Sequence, residues 1–594
     1  MNSRKSLFSR VVHWLPLVLA IAALALNGGP LAKSLERIPA GYSSWGGRAY
    51  RSSGDHVDLP RQMVETHLAP NSSLFLVCYN PQAPTSIERS IHLAASWAMS
   101  PTPVGIGPAA EVGNANAALA DSYSPDPTFG AEDATEAPRF EKECEAGGMA
   151  LWKRSSKTSE ETDDARASFP EPPSPFQEAI GLLPVLILAA AGALLAGWTG
   201  ALAALLLFSL GMAIPPVTGF RPMPLFVGMV SLLCLLAVHF IPRTDGNRQA
   251  KAPFTSTRIF SIALSLLLAV LCAVKALSHT FMAPNGLGVF GGKAKLFYLA
   301  GGIPKGFFTD AARSTLQPAY PPGFALLTLG CYGFAGGCGE WITQLLGCLA
   351  MAAVLLFLAS KCQTKVSVLW MLSAFLTPLL LQVATLYYAE PLMALFLLIG
   401  WERLRKEEDD IIGWIMLGAS GFFKNEGLVF LLATWFALRI LRGSSTASIR
   451  SLAIGAALPL LWHVLCRLAG AHLYDFAPLL QPDFGQGTLA LAYALKRIFL
   501  EPWQYGFAYP AALVAWICTL RKHTRSSLST ALLAALLSLL AFTAIYALST
   551  APDFAWHLHT AMPRLLWAPA LLLLRELIAL VPIQNNQAGP FSRI

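Results

Sequence analysis

Charge is what this sequence has least of. Asp, Glu, Lys and Arg make up only 13% of its 594 residues, against about 25% in a soluble protein of ordinary composition. With 54% apolar residues and a mean hydropathy of +0.51, the chain contains many windows of about 18 or more residues with almost no charge, the mark of membrane-spanning helices. A large soluble globule is excluded. Acidic residues are scarcer than basic ones, 35 against 43, and the net charge of +8 is spread over short loops. Such a spread reports topology rather than nucleic-acid binding. No CxxC motif and no Cys/His metal spacing is present, and no internal repeat. Of the ten cysteines, eight lie in or beside apolar segments, where a thiol behaves as a small hydrophobe. Cys78 and Cys144 lie in the one large polar region. Whether they pair depends on that region being extracytoplasmic and on a separation that sequence does not give.

Arg4, Lys5 and Arg10 precede the apolar run Trp14–Leu26, and this positive flank holds the N-terminus in the cytoplasm. Ala23-Leu-Ala25 is also of the signal-peptidase type, so residues 1–27 are either a signal-anchor helix or a cleaved signal. Either one exports the next segment of chain. Residues 28–175 are read as a small exported α/β domain and linker inserted after the first helix. Ser73–Tyr79 is expected to be a strand, Thr85–Met99 an amphipathic helix, and Arg139–Glu145 with Met149–Lys153 a strand pair. Residues 100–138, rich in Ala, Gly, Pro and Ser, are expected to be mostly loop, and the polar run 153–174 a solvated linker. A spacer or contact surface outweighs ligand binding for this domain.

Residues 176–258 supply additional helices, at about 178–197, 199–215 and 223–241, and a cytoplasmic loop marked by Arg243, Arg248, Lys251 and Arg258. A transmembrane core is expected over 259–582, and then a cytoplasmic tail at 583–594. The helix at about 259–278 runs outward, placing the loop 279–322 on the exported side. Gly323–Ala335 reaches only ~20 Å at 1.5 Å per residue, short of the ~30 Å hydrocarbon core. It is therefore expected to dip in and return as a juxtamembrane helix. Every later basic cluster then falls inside. The remaining helices are expected at about 341–360, 366–386, 391–401, 411–422, 427–441, 450–467, 507–520, 527–548 and 563–582. The whole is an α-helical polytopic membrane protein of about thirteen or fourteen transmembrane helices.

Four polar clusters meet on the exported side of this topology. The loop His279–Phe324 holds a Gly-rich turn from Asn285 to Gly292, the basic helix Lys293-Ala-Lys295-Leu-Phe-Tyr-Leu, Asp310, Arg313 and the corner Tyr320-Pro-Pro-Gly323. The second cluster is Tyr387-Tyr388-Ala-Glu390-Pro391, the third Lys424-Asn-Glu426-Gly427. The fourth is Asp553-Phe-Ala-Trp556-His557-Leu-His559-Thr560, with Arg564 at the start of the last helix. Ionisable residues at membrane depth are costly and line a cavity or pair with one another. Lys293, Lys295, Arg313, Lys424, His557 and Arg564 suit a phosphate or pyrophosphate, and a carboxylate could take the proton of an acceptor hydroxyl.

In Lys293-Ala-Lys295, Tyr320-Pro321, Tyr388-Ala-Glu390, Lys424-Asn-Glu-Gly427 and Trp556-His-Leu-His-Thr-Ala-Met-Pro-Arg-Leu-Leu566, the chain resembles the GT-C superfamily of integral-membrane glycosyltransferases that use polyprenyl-phosphate sugars. The likeness covers about 259–582 in the family's order. It implies a bacterial-type inner membrane and a polyprenyl-phosphate sugar donor. It also implies inverting transfer to a glycan, lipid or protein acceptor at the exported face. The family's first-loop aspartate, usually read as the base, aligns with Asn285, its aromatic partners with Leu287 and Phe290, and the acid before Tyr-Pro with Ala319. An amide accepts no proton at neutral pH, so the expected base is Glu390, then Asp310. Asn285, Tyr320, Tyr388, Glu426, Asp553 and Trp556 would line the pocket. No cofactor is required, and a divalent metal at paired acids, as some members use, is not supported by these missing acids.

Plainer readings stand beside these. Lys293 and Lys295 could snorkel to headgroups, Glu390 could simply favour a helix start beside Pro391, and Lys424 could pair internally with Glu426. A relative that binds the lipid-linked sugar without turnover, as an envelope-assembly protein, is the second expectation. A transporter would spread polar groups along a pore instead of gathering them at one face.

Overall fold

The structure is a computed structural model. It describes residues 173–241, 255–278, 285–309, 316–375, 377–386, 388–443, 448–471, 482–519, 526–548 and 554–580, together with five strands nearer the N-terminus. The expected helices at Trp14–Leu26 and Thr85–Met99, and the Cys78–Cys144 pairing, lie outside the described residues.

The strands are β1 (Leu74–Val77), β2 (Val104–Gly107), β3 (Ala117–Asp121), β4 (Phe140–Ala146) and β5 (Met149–Arg154). They form one mixed sheet in the order β2-β1-β3-β5-β4, with β1 parallel to both β2 and β3. β5 is antiparallel to β3 and β4, and the β4 register shifts between Lys142 and Cys144. Strands β1, β4 and β5 fall at the expected positions Ser73–Tyr79, Arg139–Glu145 and Met149–Lys153. β2 and β3 lie within 100–138, expected to be mostly loop: their Gly and Ala residues carry little strand propensity, and pairing on either side of β1 supplies what the side chains do not.

From Ser174 onward the described chain is helical. Ser174 opens α1 (Pro175–Gly181) with a capping box, its hydroxyl accepting from Gln177 N while Gln177 Oε1 accepts from Ser174 N. In α2 (Leu183–Gly211) the backbone leaves helical geometry at Ala196 and Gly197, the latter at φ +65°. Added Cβ atoms on Gly192 and Gly200 would each lie within 2.5 Å of the other's backbone, so the two halves meet through bare glycines. This is the division expected between 178–197 and 199–215. Short α3 (Ile214–Thr218), α4 (Pro224–His239) and α5 (Ser256–Ser278) come next. The expected Gly-rich turn at Asn285–Gly292 is instead a wide, π-type helical segment running straight into α6 (Lys293–Ala300).

α7 (Gly323–Ala335) has the expected limits and ends at Gly336, φ +77°. It is buried nearly all round, so it sits within the bundle rather than along its surface. α8 (Glu340–Lys361) leads to α9 (Lys365–Phe375) and α10 (Pro378–Thr385), two helices in place of the single one expected over 366–386. Pro378 is the reason: it lacks an N–H, and Thr377 caps the new helix by accepting from Leu380 N. The core helices are α11 (Glu390–Leu404), α12 (Ile411–Phe423), α13 (Glu426–Arg442) and α14 (Ile449–Leu468). α15 (Phe484–Leu495), unexpected from sequence, precedes α16 (Ala508–Thr519), α17 (Ser527–Ala547) and α18 (Phe554–Leu580).

Among the described residues five helical stretches are long and apolar enough to cross a membrane: Phe176–Thr218, Ser256–Leu277, Trp341–Lys361, Ile449–Leu468 and Ser527–Ala547. The broken pair α9–α10 would make a sixth. This is a mostly helical membrane protein. Other apolar segments of the expected thirteen or fourteen are shorter or carry charge. α11 lies at the centre, with Trp401 fully buried and nearly every side chain enclosed. Gly418 of α12 brings α14 into backbone contact: a Cβ there would lie 1.8 Å from Gly455 O. Gly418→Ala should therefore lower stability by about 1–3 kcal/mol, because only backbone can move aside. An unchanged thermal midpoint in detergent would show that the two helices can separate freely.

Candidate functional site

Glu390 is the first residue of α11, and the next is Pro391, whose fixed φ suits a helix start. The Glu390 side chain is fully buried. Oε1 accepts from Lys424 Nζ at 3.1 Å and from Arg564 Nη1 at 2.9 Å, while Oε2 is buried with no hydrogen-bond partner. Lys424 stands in extended backbone (φ −157°, ψ 136°) at the break between α12 and α13. The break can fold this tightly because Gly427 lacks a Cβ, which would lie 2.2 Å from Gly421 N. Lys424 Nζ also donates to Glu426 Oε1 at 2.7 Å, and Tyr320 Oη donates to Glu426 Oε2 at 3.2 Å. Arg564 is anchored by Nε to Thr560 O at 2.8 Å, and its guanidinium lies 4.3 Å from the Tyr388 ring centre.

Tyr320, Glu426, Lys424, Glu390, Arg564 and Tyr388 thus form one unbroken chain of contacts drawn from four stretches of sequence. Two carboxylates face two cations, a net charge of zero. Tyr320, on the loop before α7, is held well above the usual phenol range by burial and by the adjacent carboxylates of Glu426 and Glu390, so it serves as a donor.

The remaining expected residues divide. Lys293 is fully buried and turns away from the cluster, donating to the main-chain oxygens of Gln317 (3.1 Å) and Tyr320 (2.9 Å). Its burial replaces a lysine snorkelling to headgroups with one that fastens the Tyr320 corner. The corner holds Gln317 at φ +42°, and Trp462 Nε1 donates to Ala319 O at 3.1 Å. Lys295 is half-buried on α6. His557 lies within α18, its ring centre 5.5 Å from that of Tyr546. α18 starts earlier than expected, so Arg564 stands inside the helix and not at its start; Pro563 and Pro569 are both interior. Asp310, Arg313 and Asp553 lie outside the described residues, as do the side chains of Asn285 and Trp556. Among the described residues no group of three or more His, Cys, Asp or Glu could hold a metal ion.

Two groups are not evident from the sequence. One joins Tyr493, Arg497 and Glu501 to His559; the four-residue spacing of the first three is the available signal. The other lies at the far end of α11, where Arg575 bonds Glu402 and Glu576. Trp401 Nε1 donates to Glu576 Oε1 at 2.8 Å, and Lys361 Nζ stands 3.3 Å from Glu402. Polar groups are therefore not confined to one end of the bundle. The two ion clusters lie ~18 Å apart along α11, and α11 from Pro391 to Trp401 is entirely apolar, which leaves no polar path along it.

Comparison of the chain with family models, curated proteins and solved structures finds no match. The cluster's own chemistry sets what it can do. Glu390 offers one unengaged carboxylate oxygen, and a phosphate could reach Lys424 or Arg564 only by sharing them with Glu390 or Glu426.

Removing one ion should hurt more than removing a pair. Arg564→Met, leaving Glu390 buried beside a single cation, should cost about 3–5 kcal/mol, with much of the loss recovered in the Arg564→Met/Glu390→Met double variant. Chemical denaturation in micelles measures both, and equal losses would dissolve the pairing. Lys293 carries a pH signature. Burial pushes its ammonium down from 10.5 to about 7, so between these values the unfolded chain binds the extra proton and stability rises with pH. Lys293→Met should flatten that rise between pH 7 and 10 in thermal melts.

Proposed function

We propose that this protein is a membrane glycosyltransferase of GT-C-like architecture that moves a sugar from a polyprenyl-phosphate donor to an acceptor at the exported face of a bacterial-type inner membrane. Residues 28–175 would form a small exported α/β domain, and 259–582 the transferase core. The observation that carries the reading is the buried cluster around Glu390. Tyr388–Glu390, Lys424–Gly427, Tyr320 and Arg564 belong to the stretches that resemble the superfamily, and their side chains contact one another in one chain.

In this reading the acceptor hydroxyl approaches Oε2 of Glu390, the oxygen with no hydrogen-bond partner. It passes its proton there as it attacks the anomeric carbon, and the polyprenyl phosphate leaves. Lys424 and Arg564 fix the carboxylate through Oε1. Tyr320 and Glu426 hold Lys424 in place. Asp310, on the same loop as Tyr320, is the second candidate base.

A second reading has a specific observation in its favour. Two cations on one carboxylate oxygen stabilise its ionised form and weaken it as a base, and Asn285 and Ala319 stand where the superfamily carries acids. A relative that binds lipid-linked sugar without turnover would look like this.

Glu390→Gln decides between them. Sugar transfer from a polyprenyl-phosphate donor should fall to background per mole of folded, membrane-inserted protein, and the variant should also be less stable because Lys424 and Arg564 lose their shared carboxylate. Full activity in that variant removes Glu390 as base. A wild type that binds donor and never transfers favours the second reading.

A further inference from the structure

Where α15 ends, the chain widens into a π-type turn over Lys496–Leu500 and then tightens into a 3-10 turn at Pro502–Tyr505. Such departures from α geometry concentrate at functional sites. Arg497 Nε and Nη2 both donate to Tyr493 Oη, at 2.9 and 2.6 Å. Arg497 also pairs with Glu501, and Lys496 Nζ lies 3.4 Å from Glu501 Oε1. His559 Nδ1, from α18, is 2.9 Å from the same Tyr493 oxygen.

Three groups meet at that oxygen, and together they orient the histidine. A phenol has two lone pairs and one proton. Arg497 donates to it twice and His559 Nδ1 is its third partner, which orients the ring so that Nε2 lies on the side away from Tyr493, on an exposed ring.

Charge and apolar surface complete the picture. Lys496 and Arg497 against Glu501 leave one net positive charge, whereas the Glu390 cluster has none to spare. The Lys496 side chain is 57% exposed. On the same turn Phe499 is 51% and Leu500 68% exposed, with Leu495 beside them at 40%. Cations set among exposed apolar side chains suit an anion attached to a hydrocarbon better than a free one.

We infer that this turn binds the phosphate of a polyprenyl phosphate, with its oxygens on Lys496 Nζ and His559 Nε2 and its chain along Leu495, Phe499 and Leu500. The inference rests on the proposed lipid donor and supplies its phosphate site, sparing Lys424 and Arg564 from leaving Glu390. Arg497 and Tyr493 act as positioning residues, through His559.

The test uses full-length protein in dodecyl maltoside micelles, titrated with polyprenyl phosphate and monitored by tryptophan fluorescence. The uncharged polyprenol and inorganic phosphate are the comparison probes. Wild type should bind polyprenyl phosphate at least about tenfold more tightly than either, and Lys496→Ala/His559→Phe should lose at least about tenfold in affinity, the scale of a lost charge-assisted hydrogen bond. The single variant Lys496→Ala, a solvent-facing change, should lose part of that affinity with an unchanged melting midpoint. Equal binding of polyprenol, or a double variant that titrates like wild type, overturns the site; inorganic phosphate binding as tightly as the lipid overturns the lipid assignment. Binding needs neither sugar nor turnover. A protein that binds through this turn yet transfers nothing keeps the site and loses the transferase reading, and an active enzyme indifferent to both substitutions does the reverse.

Discussion

A charge enclosed in a helical bundle has to find an opposite charge, and α11 carries a carboxylate near each end. Glu390 meets Arg564 and Glu402 meets Arg575, both arginines on α18. The carboxylates are twelve residues apart and the arginines eleven, so the two helices run side by side in the same direction. Sliding one past the other by a turn would part both pairs at once, and each unpaired buried ion would cost several kcal/mol. The apolar surface between them has no such preference, since Leu against Leu packs acceptably in more than one register. The ion pairs therefore fix the register, and the register sets where Lys424 and Tyr388 stand around Glu390.

Much of this bundle is legible in the sequence because apolar runs end at residues with a physical reason to end them. α7, α11, α12, α13, α14 and α17 begin and stop within a few residues of the limits read from the chain. The departures share a cause, which is tertiary context overriding a local signal. Proline favours a helix start, yet α18 runs through Pro563. Pro378, inside an apolar run, does break its helix. Gly485 and Gly487 weaken the local signal of α15, although burial of Gly487, Ala490 and Ala494 holds it in place.

The site is legible in part. Glu390, Lys424, Glu426, Tyr320, Tyr388 and Arg564 stand out in separate stretches of sequence, and their side chains touch in the fold. Lys293 stands out too and points elsewhere. A sequence gives the residue and its helix but not where a long side chain ends, and a lysine at the wall of a bundle can turn outward to headgroups or inward to carbonyls. Gln317 in the left-handed region supplies the inward choice. That turn aims carbonyls at Lys293 while Trp462 engages Ala319, so the strain of one residue is held by two side chains from distant helices.

Neutrality of the Glu390 cluster constrains any chemistry there. A phosphate brought against Lys424 or Arg564 would add negative charge beside two carboxylates already using those cations, and repulsion in a low dielectric is long-ranged. A reacting hydroxyl adds no net charge and needs one acceptor, which Oε2 of Glu390 provides. The two parties to the proposed transfer, a donor's phosphate and an acceptor's hydroxyl, accordingly favour different surroundings. The phosphate is better matched by the exposed, net-positive turn at Lys496 and Arg497, and the hydroxyl of an acceptor by the closed, balanced cluster. His559 and Arg564 lie five residues apart on α18, so one helix faces both environments and can hold them in fixed relation.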